Sequence, residues 1–592
     1  LNHMRFHSWC PPDAAFTAAD ELGFYIQPEC GMWNPFNPGD QMTQMLEAET
    51  TRMMKAYGNH PSFLMLSPSN EPKDRYMQVL PGWAAKWHEQ DPRRVYAAKS
   101  GWGPVPAGGP QPQYDVLAAP RGNRGWFGND FAAVVQGSHM PIVTHELGQW
   151  CAYPDFDIIK KFTGYLQPGN YEIFRDSAAA HGVLEKNKQF AWASGRFQVA
   201  CYKEEIEANL RTPGLAGFQL LDLHDYLGQG GALIGLLDAF WQSKGYVTAE
   251  EFHRFCAPTV PLARFHSYIF RAGDTFDIPV EVANFSAGEI KNATPYWRIV
   301  DLDGLFAAQG ELPKLDVPIG KGIPLGHVKV DLKELTAPKQ YKLVVELQSP
   351  DQDKAQQTKE AKLEKIENDW NFWLYPAADS SASASDVLLT TDWKEAQAKL
   401  NAGGKVVYVP PPSAVDDTCP PLDSVPVFWN RLMNPKLSAM LGLLCDPKHP
   451  ALADFPTQAN CDWQWTDLVR NMRTVNLDHA PKELQPIVQA IDDWNRNFKL
   501  GVIFECKVGS GRLLICAVDI TKLNDRRPAA VQLRKSLLDY AAGEHFQPTV
   551  ALTSDQATAL WPGLAGRGFK AGPQGIASPD IDEGPAQPPA KQ

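Results

Sequence analysis

Short apolar runs alternate with longer stretches of three-to-four-residue periodicity over roughly the first 256 residues. A short run of this kind predicts a buried β-strand, and the longer periodicity predicts an amphipathic helix. Strands and helices in alternation predict a parallel sheet covered by helices, as in a (β/α)8 TIM barrel. Seven strands are predicted, near residues 2–7, 24–27, 63–66, 94–98, 114–117, 141–144 and 217–221. A closed barrel has about eight, so the predicted barrel lacks its first strand.

The pattern changes after residue 257, where strand-like runs alternate with Gly, Pro and Asp turns. This pattern is typical of a β-sandwich, here of the immunoglobulin-like kind, over residues 258–365. A strand, helix and strand follow, and they predict an α/β accessory domain over residues 366–550. Residues 551–592 become rich in Pro, Gly and Ala and are predicted to be a mostly disordered tail.

Composition narrows the possible partners of this multidomain chain. At 592 residues the chain is too long for one hydrophobic core. A net charge of −12 argues against nucleic acid as a partner, and no apolar run is long enough to span a bilayer. The ten Cys form no Cys-x-x-Cys pair, so neither a metal site nor a disulfide framework is predicted. The sequence leaves open whether the protein forms a homo-oligomer.

Polar side chains follow the predicted strands where each strand ends. Catalytic groups gather at the carboxyl ends of barrel strands, so these side chains are the candidate site. They are Arg5, His7, Glu29, Asn70, Glu71, Ser100, Trp102, His145, Glu146, Asp222, His224 and Asp225. Trp126, in a loop after the strand at 114–117, is a further candidate for the pocket wall.

Glu71 and Glu146 follow the two clearest strands, three strands apart, and are expected to face one pocket. Two carboxyl groups across a pocket without a metal cluster indicate glycoside hydrolysis. One carboxyl must be protonated to assist the leaving oxygen, and the other must be ionised to attack the anomeric carbon. A helix cap or a surface salt bridge is the alternative interpretation of each glutamate.

Five segments in order resemble glycoside hydrolase family 2, whose members include β-galactosidases and β-glucuronidases. Gly-Asn-His-Pro-Ser-Phe at residues 58–63 with Ser-Asn-Glu at 69–71 is similar to the family's acid/base signature. Residues 4–9 resemble its "R-x-SHYP" segment, and residues 20–25 resemble "DE-G-I/L". Residues 141–148 resemble the strand that ends in the nucleophile, and residues 240–246 resemble the segment after the last strand.

The resemblance implies a retaining exo-β-glycosidase that acts on an oligosaccharide or polysaccharide and uses no cofactor or metal. Glu71 would be the general acid/base and Glu146 the nucleophile. Asn70 would bind the sugar 2-hydroxyl, and Arg5 would hold the nucleophile ionised. His7, Trp102, His145, His224 and Asp225 would line or bind the substrate. Family analogy implies a periplasmic or secreted protein.

The chain departs from the family pattern in three ways. The seven strands match the family's second to eighth, so we expect the natural protein to be longer upstream. The last predicted strand lacks the Trp that many members place under the sugar, and the Asn-x-Lys clamp of β-glucuronidases is missing. The third domain resembles a glutamine-amidotransferase-like accessory domain without the Cys-His-Glu set of that enzyme. Two other functions stay open, a catalytically impaired sugar-binding fragment and an endo-acting barrel glycosidase.

Overall fold

A computed structural model describes residues 1–349, 365–377, 386–524 and 526–565. An eight-stranded sheet in the first part of the chain has the order β1-β2-β4-β7-β8-β9-β10, and β6 pairs with β4. Every pairing in this sheet is parallel. The strands, with a separate two-stranded pair β3 and β5, are β1 (His3–Phe6), β2 (Tyr25–Met32), β3 (Pro35–Phe36), β4 (Met65–Asn70), β5 (Lys73–Asp74), β6 (Val95–Tyr96), β7 (Ser100–Gly101), β8 (Asp115–Leu117), β9 (Ile142–Leu147) and β10 (Leu215–Leu220). The prediction of a nearly closed parallel barrel sheet in a multidomain chain is confirmed.

Burial explains why these short runs form strands. All six residues of β9 are buried, as expected for a parallel strand covered on both faces. The helices between the strands are α1 (Asp13–Leu22), α2 (Gln41–Tyr57), α3 (Leu80–Gln90), α4 (Ala132–Val135), α5 (Gly169–Ala180), α6 (Asn187–Arg211) and α7 (Ala249–His253). Helix α1 ends at Gly23, whose φ of 68° is a left-handed conformation that glycine adopts without strain.

One gap remains in the barrel sheet. Strand β10 pairs with β9 and strand β1 pairs with β2, and no strand among the described residues joins β10 to β1. Apolar side chains near this edge are open to solvent, with Leu1 55% and Met4 37% exposed. The gap lies where the sequence predicts the missing strand.

Two sheets form the second unit. One has the order β11-β13-β17, and the other has the order β12-β19-β18-β14-β15 with β16 paired to β14. Their strands are β11 (Thr259–Ala263), β12 (Ile269–Arg271), β13 (Thr275–Asn284), β14 (Ile290–Asp301), β15 (Phe306–Glu311), β16 (Leu315–Val317), β17 (Gly320–Asp331), β18 (Lys339–Gln348) and β19 (Ile366–Tyr375). Phe276 of one sheet meets Phe372 of the other with ring centroids 5.0 Å apart, so the two sheets share a core.

Strand β19 differs from the predicted domain boundary at residue 365. It pairs antiparallel with β18 from Ile366 to Leu374, and its Phe372 packs against Phe276 of the facing sheet. The second unit therefore includes residues 366–375, which the sequence assigned to the α/β domain.

The third unit is an eight-stranded mixed sheet in the order β20-β21-β26-β25-β24-β22, with β23 and β27 paired to β25. Strands β25 and β26 pair antiparallel, and the predicted strand-helix-strand unit is β20, α8 and β21. The elements are β20 (Val387–Thr390), α8 (Trp393–Asn401), β21 (Lys405–Tyr408), β22 (Met440–Cys445), α9 (Thr466–Val469), β23 (Val475–Asn476), β24 (Val488–Asp492), β25 (Leu500–Val508), β26 (Gly511–Cys516), α10 (Pro528–Ala542), β27 (Ala551–Leu552) and α11 (Ser554–Ala559).

The start of the predicted tail is structured. Residues 551–565 form β27, α11 and a 3-10 turn, because Leu552, Ala557 and Trp561 are buried in the core of the third unit. The rest of the predicted tail, residues 566–592, lies outside the described residues. Other 3-10 turns are Tyr76–Gln78, Asn123–Gly125, Phe156–Lys161, Leu184–Lys186, Leu332–Glu334, Pro412–Ala414, Pro450–Leu452 and Trp463–Trp465.

The third unit contacts the barrel directly after β9. The backbone N–H of Cys151 donates to the carbonyl of Val427 at 2.9 Å, and that of Trp429 donates to the carbonyl of Gln149 at 2.7 Å. The segment after β9 therefore pairs antiparallel with residues 427–429 of the third unit. In the described part of the chain, no helix has the length and apolarity needed to cross a membrane.

Candidate active site

Glu71 and Glu146 both stand at the carboxyl ends of barrel strands, in left-handed backbone conformations. The φ angles are 43° at Glu71 and 54° at Glu146. The N–H of Glu71 donates to the carbonyl of Ser100 at 2.8 Å, which fixes this turn against β7. A left-handed non-glycine residue costs about 1–3 kcal/mol, and such residues cluster at functional sites because the surrounding structure must enforce them.

Gly101 leaves room for the Glu71 side chain. A Cβ atom added at Gly101 would lie 2.9 Å from Cγ of Glu71, and the φ of Gly101 is +122°. A side chain at position 101 would therefore strain the backbone and displace the carboxylate.

The two carboxyl groups face each other across a short gap. One ligand atom each of Glu71, His145 and Glu146 lies within 4.8 Å of the other two. Glu146 is buried and Glu71 is half-buried, so both carboxylates lie at the barrel mouth with limited solvent access. The two glutamates are therefore close together, and a pocket that they share stays a prediction.

Arg5 connects the nucleophile candidate to the barrel interior. Its Nη1 donates to Oε1 of Glu146 at 3.1 Å, while Nε and Nη2 donate to the two carboxylate oxygens of Glu29 at 2.7 and 3.0 Å. Nη2 also donates to Oδ1 of Asn70 at 2.6 Å. Glu29 is fully buried and accepts a further bond from Ser100 Oγ at 2.6 Å. Glu29 therefore lies deeper in the barrel and anchors the Arg5 guanidinium.

His145 is fully buried between Asn70 and Glu146. Its Nε2 lies 3.0 Å from Oδ1 of Asn70 and 3.2 Å from Oε1 of Glu146. Burial lowers the pKa of His145 to about 4, so the ring is neutral near pH 7. Both neighbours of Nε2 are acceptors, so Nε2 carries the single proton of the neutral ring.

The environment shifts the pKa values of the two glutamates in opposite directions. Burial, and then the charge of Glu146, raise the pKa of Glu71 above its usual value. Burial would also raise the pKa of Glu146, but the hydrogen bond from neutral His145 and the charges of Arg5 and Arg121 outweigh it and lower that pKa well below its usual range. Glu71 is therefore the better proton donor, and Glu146 stays ionised.

His7 and Trp102, two further predicted site residues, differ in how closely they approach the two glutamates. Nε2 of His7 lies 3.9 Å from Oε1 of Glu146, and its side chain is 36% exposed. Trp102 is half-buried directly after β7, and its role stays a prediction.

His224 and Asp225 are engaged locally. Nδ1 of His224 lies 2.8 Å from the backbone oxygen of Asp225, and its ring lies 4.5 Å from that of Trp241. The buried Asp225 carboxylate accepts from Lys244 at 2.6 Å and from the backbone N–H of Gly235 at 3.0 Å. These contacts fix the loop after β10, and a direct sugar contact by either residue stays a prediction.

Trp126 is not a pocket residue, which corrects the sequence expectation. Its side chain is only 3% exposed and packs between Trp150 and Trp463, with ring centroids 5.4 and 5.0 Å away. The indole is buried because the third unit covers this loop, a tertiary contact that local sequence does not reveal.

Two residues near the glutamates were missed by the sequence analysis. Trp33 Nε1 donates to Oε2 of Glu71 at 2.8 Å. Arg121 Nη1 donates to the backbone oxygens of His145 and Glu146 at 3.3 and 3.1 Å, and it lies 3.9 Å from Oε2 of Glu146. Both lie several residues beyond the predicted strand ends at residues 27 and 117, so only their position after a predicted strand hinted at a role.

Of the described residues, Glu71, His145 and Glu146 form the one group of three or more potential ligands close enough to share a metal ion. The Arg5 guanidinium already pairs with Glu146, and neutral His145 directs its Nε2 proton at the same carboxylate. A positive charge and a hydrogen-bond donor directed at this carboxylate stabilise its ionised form and would compete with a bound cation.

Two family models match the chain, and both describe domains of unknown function. Domain of unknown function (DUF8488) matches residues 274–376, and domain of unknown function (DUF8487) matches residues 388–562. These matches cover the second and third units, and neither reaches the barrel. No curated protein matches the chain.

Solved structures with partial similarity include three enzymes. A Bacteroides uniformis beta-glucuronidase is 12% identical, with 67% of this chain and 43% of that chain covered and a TM-score of 0.31. A Parabacteroides merdae beta-glucuronidase is 11% identical, with 64% and 46% covered and a TM-score of 0.30. The exo-beta-D-glucosaminidase CsxA is 15% identical, with 63% and 45% covered and a TM-score of 0.38.

The chain spans less than half the length of each of these proteins. At these TM-scores the similarity carries no argument for this chain. The fold rests on the strand pairing described above, and the chemistry rests on the geometry of the site.

Proposed function

We propose that this chain is a retaining exo-β-glycosidase of the glycoside hydrolase family 2 type, with Glu71 as general acid/base and Glu146 as nucleophile. The observation that carries the proposal is the Glu71–Glu146 pair, whose oxygens lie within 4.8 Å and whose pKa values are shifted apart. Carboxyl groups roughly 5–5.5 Å apart are typical of retaining enzymes, whereas inverting enzymes keep them roughly 6.5–9.5 Å apart to admit a water.

The first step forms a covalent glycosyl ester. A carboxylate oxygen of Glu146 attacks the anomeric carbon, the bond to the leaving oxygen breaks, and its electron pair stays on that oxygen. Glu71 donates its proton to the same oxygen. The raised pKa of Glu71 keeps a fraction of this carboxyl protonated, and the lowered pKa of Glu146 keeps the attacking oxygen ionised.

The second step returns both glutamates to their starting states. Glu71, now ionised, takes a proton from a water whose oxygen attacks the anomeric carbon. The ester bond breaks and its electron pair returns to Glu146. Arg5 and His145 stabilise the carboxylate that is released, through contacts of 3.1 and 3.2 Å.

Asn70 is suited to bind a sugar hydroxyl. Its Oδ1 lies near two donors, Arg5 Nη2 and His145 Nε2, so the orientation of the amide is fixed. The amide nitrogen is then the group that remains to donate. A fixed donor at this position supports the proposed contact with the 2-hydroxyl, which strengthens as the transition state forms.

The test is azide rescue on two alanine variants. A panel of 2,4-dinitrophenyl β-glycosides (galactoside, glucuronide, galacturonide, mannoside and arabinoside) first identifies the sugar that the protein hydrolyses. Glu71→Ala with azide should then give the β-glycosyl azide, because azide attacks the glycosyl ester. Glu146→Ala with azide should give the α-glycosyl azide, because azide replaces the nucleophile.

Glu89→Gln, a change at an exposed position on α3, is the matched surface control. Full hydrolysis by Glu146→Gln would contradict the proposal. Product analysis on oligosaccharides separates exo from endo action, since an exo enzyme releases single sugars and an endo enzyme releases oligomers.

A sugar-binding protein with a catalytically silent barrel is the second candidate. The open edge between β10 and β1 favours it, because an incomplete sheet loosens the mouth that holds the two glutamates. Calorimetric binding of a sugar that the protein does not hydrolyse would support this candidate over the first.

A further inference from the structure

The loop after β2 is fixed to the strand that carries Glu71. The backbone N–H of Trp33 donates to the carbonyl of Asn70 at 2.9 Å, and that of Lys73 donates to the carbonyl of Asn34 at 2.9 Å. Strands β3 and β5 then pair in parallel, one from each loop. Two loops joined in this way hold Trp33 at a set position beside Glu71, even though the φ of Trp33 is 55°.

The indole of Trp33 reaches the carboxyl group of Glu71 from the pocket side. Nε1 donates to Oε2 at 2.8 Å, and the residue is 38% exposed. The His7 ring meets the indole edge-on with centroids 6.4 Å apart, so Trp33 lies on the side of the mouth that His7 also lines. An indole N–H is a donor only, so it can bond to a carboxyl oxygen that offers a lone pair but cannot accept a proton from it.

We infer that Trp33 is a positioning residue that selects Oε1 of Glu71 as the oxygen that carries the transferable proton. The inference rests on the proposed role of Glu71 as acid/base. In a protonated carboxyl group the carbonyl oxygen is the better acceptor, so the indole bond to Oε2 leaves the proton on Oε1. The bond also fixes the rotation of the carboxyl group, so Oε1 is the oxygen presented to the leaving group.

The hydrogen bond from Trp33 leaves the same oxygen of Glu71, Oε1, to transfer the proton in both steps. In the first step the proton leaves Oε1 for the leaving oxygen, which keeps the electron pair of the broken anomeric bond. Oε2 keeps its indole bond, which strengthens as the carboxyl becomes charged. In the second step Oε1 takes a proton from the attacking water. Trp33 thus opposes part of the rise in the pKa of Glu71 that burial causes.

Trp33→Phe removes the N–H and keeps an aromatic ring at the mouth. Loss of a hydrogen bond to the ionised form should move the alkaline limb of kcat/KM upward by about one pH unit. Acid assistance should also weaken, so kcat/KM for a phenyl β-glycoside should fall about tenfold or more. A 2,4-dinitrophenol leaving group needs no acid, so kcat/KM for that glycoside should change by less than about threefold.

Trp192→Phe is the matched control, because Trp192 is 41% exposed on α6, which carries none of the site residues. It should leave both substrates and the pH profile unchanged. A role in packing alone would make Trp33→Phe lower kcat/KM equally for both leaving groups without a pH shift, and that result would overturn the inference.

A second measurement uses the unmodified protein. The ¹H–¹⁵N resonance of the Trp33 indole, assigned with Trp33→Phe, should titrate with the same midpoint as the alkaline limb of activity, and the titration should vanish in Glu71→Gln. An indole resonance that does not respond to pH would overturn the inference.

The two proposals fail in different ways. If no glycoside of the panel is hydrolysed, or if Glu146→Gln keeps full activity, the proposed function fails. If the unmodified protein hydrolyses a glycoside with a bell-shaped profile while Trp33→Phe leaves the alkaline limb and the leaving-group dependence unchanged, only the role of Trp33 fails.

Discussion

Nη1 of Arg5 lies 3.1 Å from Oε1 of Glu146, and the side chains of the two residues are 6% and 9% exposed. The same guanidinium holds both oxygens of the fully buried Glu29. Burial works against the charge of Arg5, but Glu29 and Glu146 outweigh it and raise the pKa of Arg5. The permanently charged Arg5 guanidinium thus connects the proposed nucleophile to the barrel interior.

Arg5→Lys should lower kcat/KM about a hundredfold, because a single ammonium cannot bridge two carboxylates and Asn70 together. The acid limb of the pH profile should move upward as Glu146 loses a stabilising charge. Steady-state kinetics across pH measures both effects. An unchanged acid limb would show that Arg5 does not hold Glu146 ionised.

Arg5→Gln leaves the Glu29 carboxylate buried without its partner, so it should cost about 3–5 kcal/mol of unfolding free energy. Adding Glu29→Gln removes the unpaired charge, and the double variant should recover much of that loss without recovering activity. Denaturant unfolding of Arg5→Gln, Glu29→Gln and the double variant separates the cost of the unpaired Glu29 charge from the loss of the Arg5 side chain. Full additivity of the single changes would contradict the coupling of this pair.

The pH dependence of activity should be bell-shaped, with limbs assigned by the opposite shifts of the two glutamates. Activity is lost as pH falls through the lowered pKa of Glu146, which must be ionised, and as pH rises through the raised pKa of Glu71, which must be protonated. In Glu71→Gln, the residual single-turnover hydrolysis of a phenyl glycoside, whose leaving group needs an acid, should lose the alkaline limb. An alkaline limb that persists would assign it to another group.

Gly101→Ala should reduce kcat at least tenfold, since a Cβ would lie 2.9 Å from Cγ of Glu71 and move its carboxyl group. Gly103→Ala is a matched control, because Gly103 has a φ of +57° and its Cβ would come no nearer than 4.0 Å to Tyr76. Both changes strain the backbone, but only the first displaces Glu71. Equal losses of kcat in the two variants would show that backbone strain alone, and not displacement of Glu71, lowers the activity.

His145 should make the protein less stable in mild acid. Its pKa is lowered to about 4 in the folded state by burial and is about 6.5 unfolded. Between these values the unfolded chain binds a proton that the folded protein does not, so stability falls as pH drops from about 6.5 to about 4. His145→Gln should flatten this part of the stability curve.

The pKa of His3 is also lowered to about 4, so the difference between the unmodified protein and His145→Gln is the informative quantity. His3→Gln provides the matched comparison. Urea unfolding at several pH values measures the slope. A curve that keeps its full slope in His145→Gln would contradict a buried, neutral His145.

The positions of the strands were predictable because apolar runs are local signals, but β2, β4 and β9 extend past their predicted ends to Met32, Asn70 and Leu147. β4 and β9 deliver Glu71 and Glu146 within one site, as the alternating pattern predicts. The seven predicted strands match the order of the barrel sheet for the same reason. What the sequence could not reveal was the backbone conformation at Glu71, since its left-handed φ depends on the contact with Ser100.

Residues placed by tertiary contacts were missed or misread. Trp33 reaches Glu71 because two loops pair through β3 and β5, each only two residues long and without a periodic signal. Trp126 was expected near the pocket, but the third unit buries it against Trp463. Strand β19 was assigned to the wrong unit because its pairing with β18 is a tertiary contact that the local pattern does not reveal.

Trapping of the glycosyl enzyme tests the central claim most directly. The protein is incubated with the 2,4-dinitrophenyl 2-deoxy-2-fluoro-β-glycoside of the sugar identified by the panel, digested, and sequenced by mass spectrometry. We predict one equivalent of fluoroglycosyl ester on Glu146, the residue that Arg5 and His145 hold ionised. A label on Glu71 or elsewhere, or hydrolysis of the dinitrophenyl glycoside with inversion at the anomeric carbon, would contradict the account.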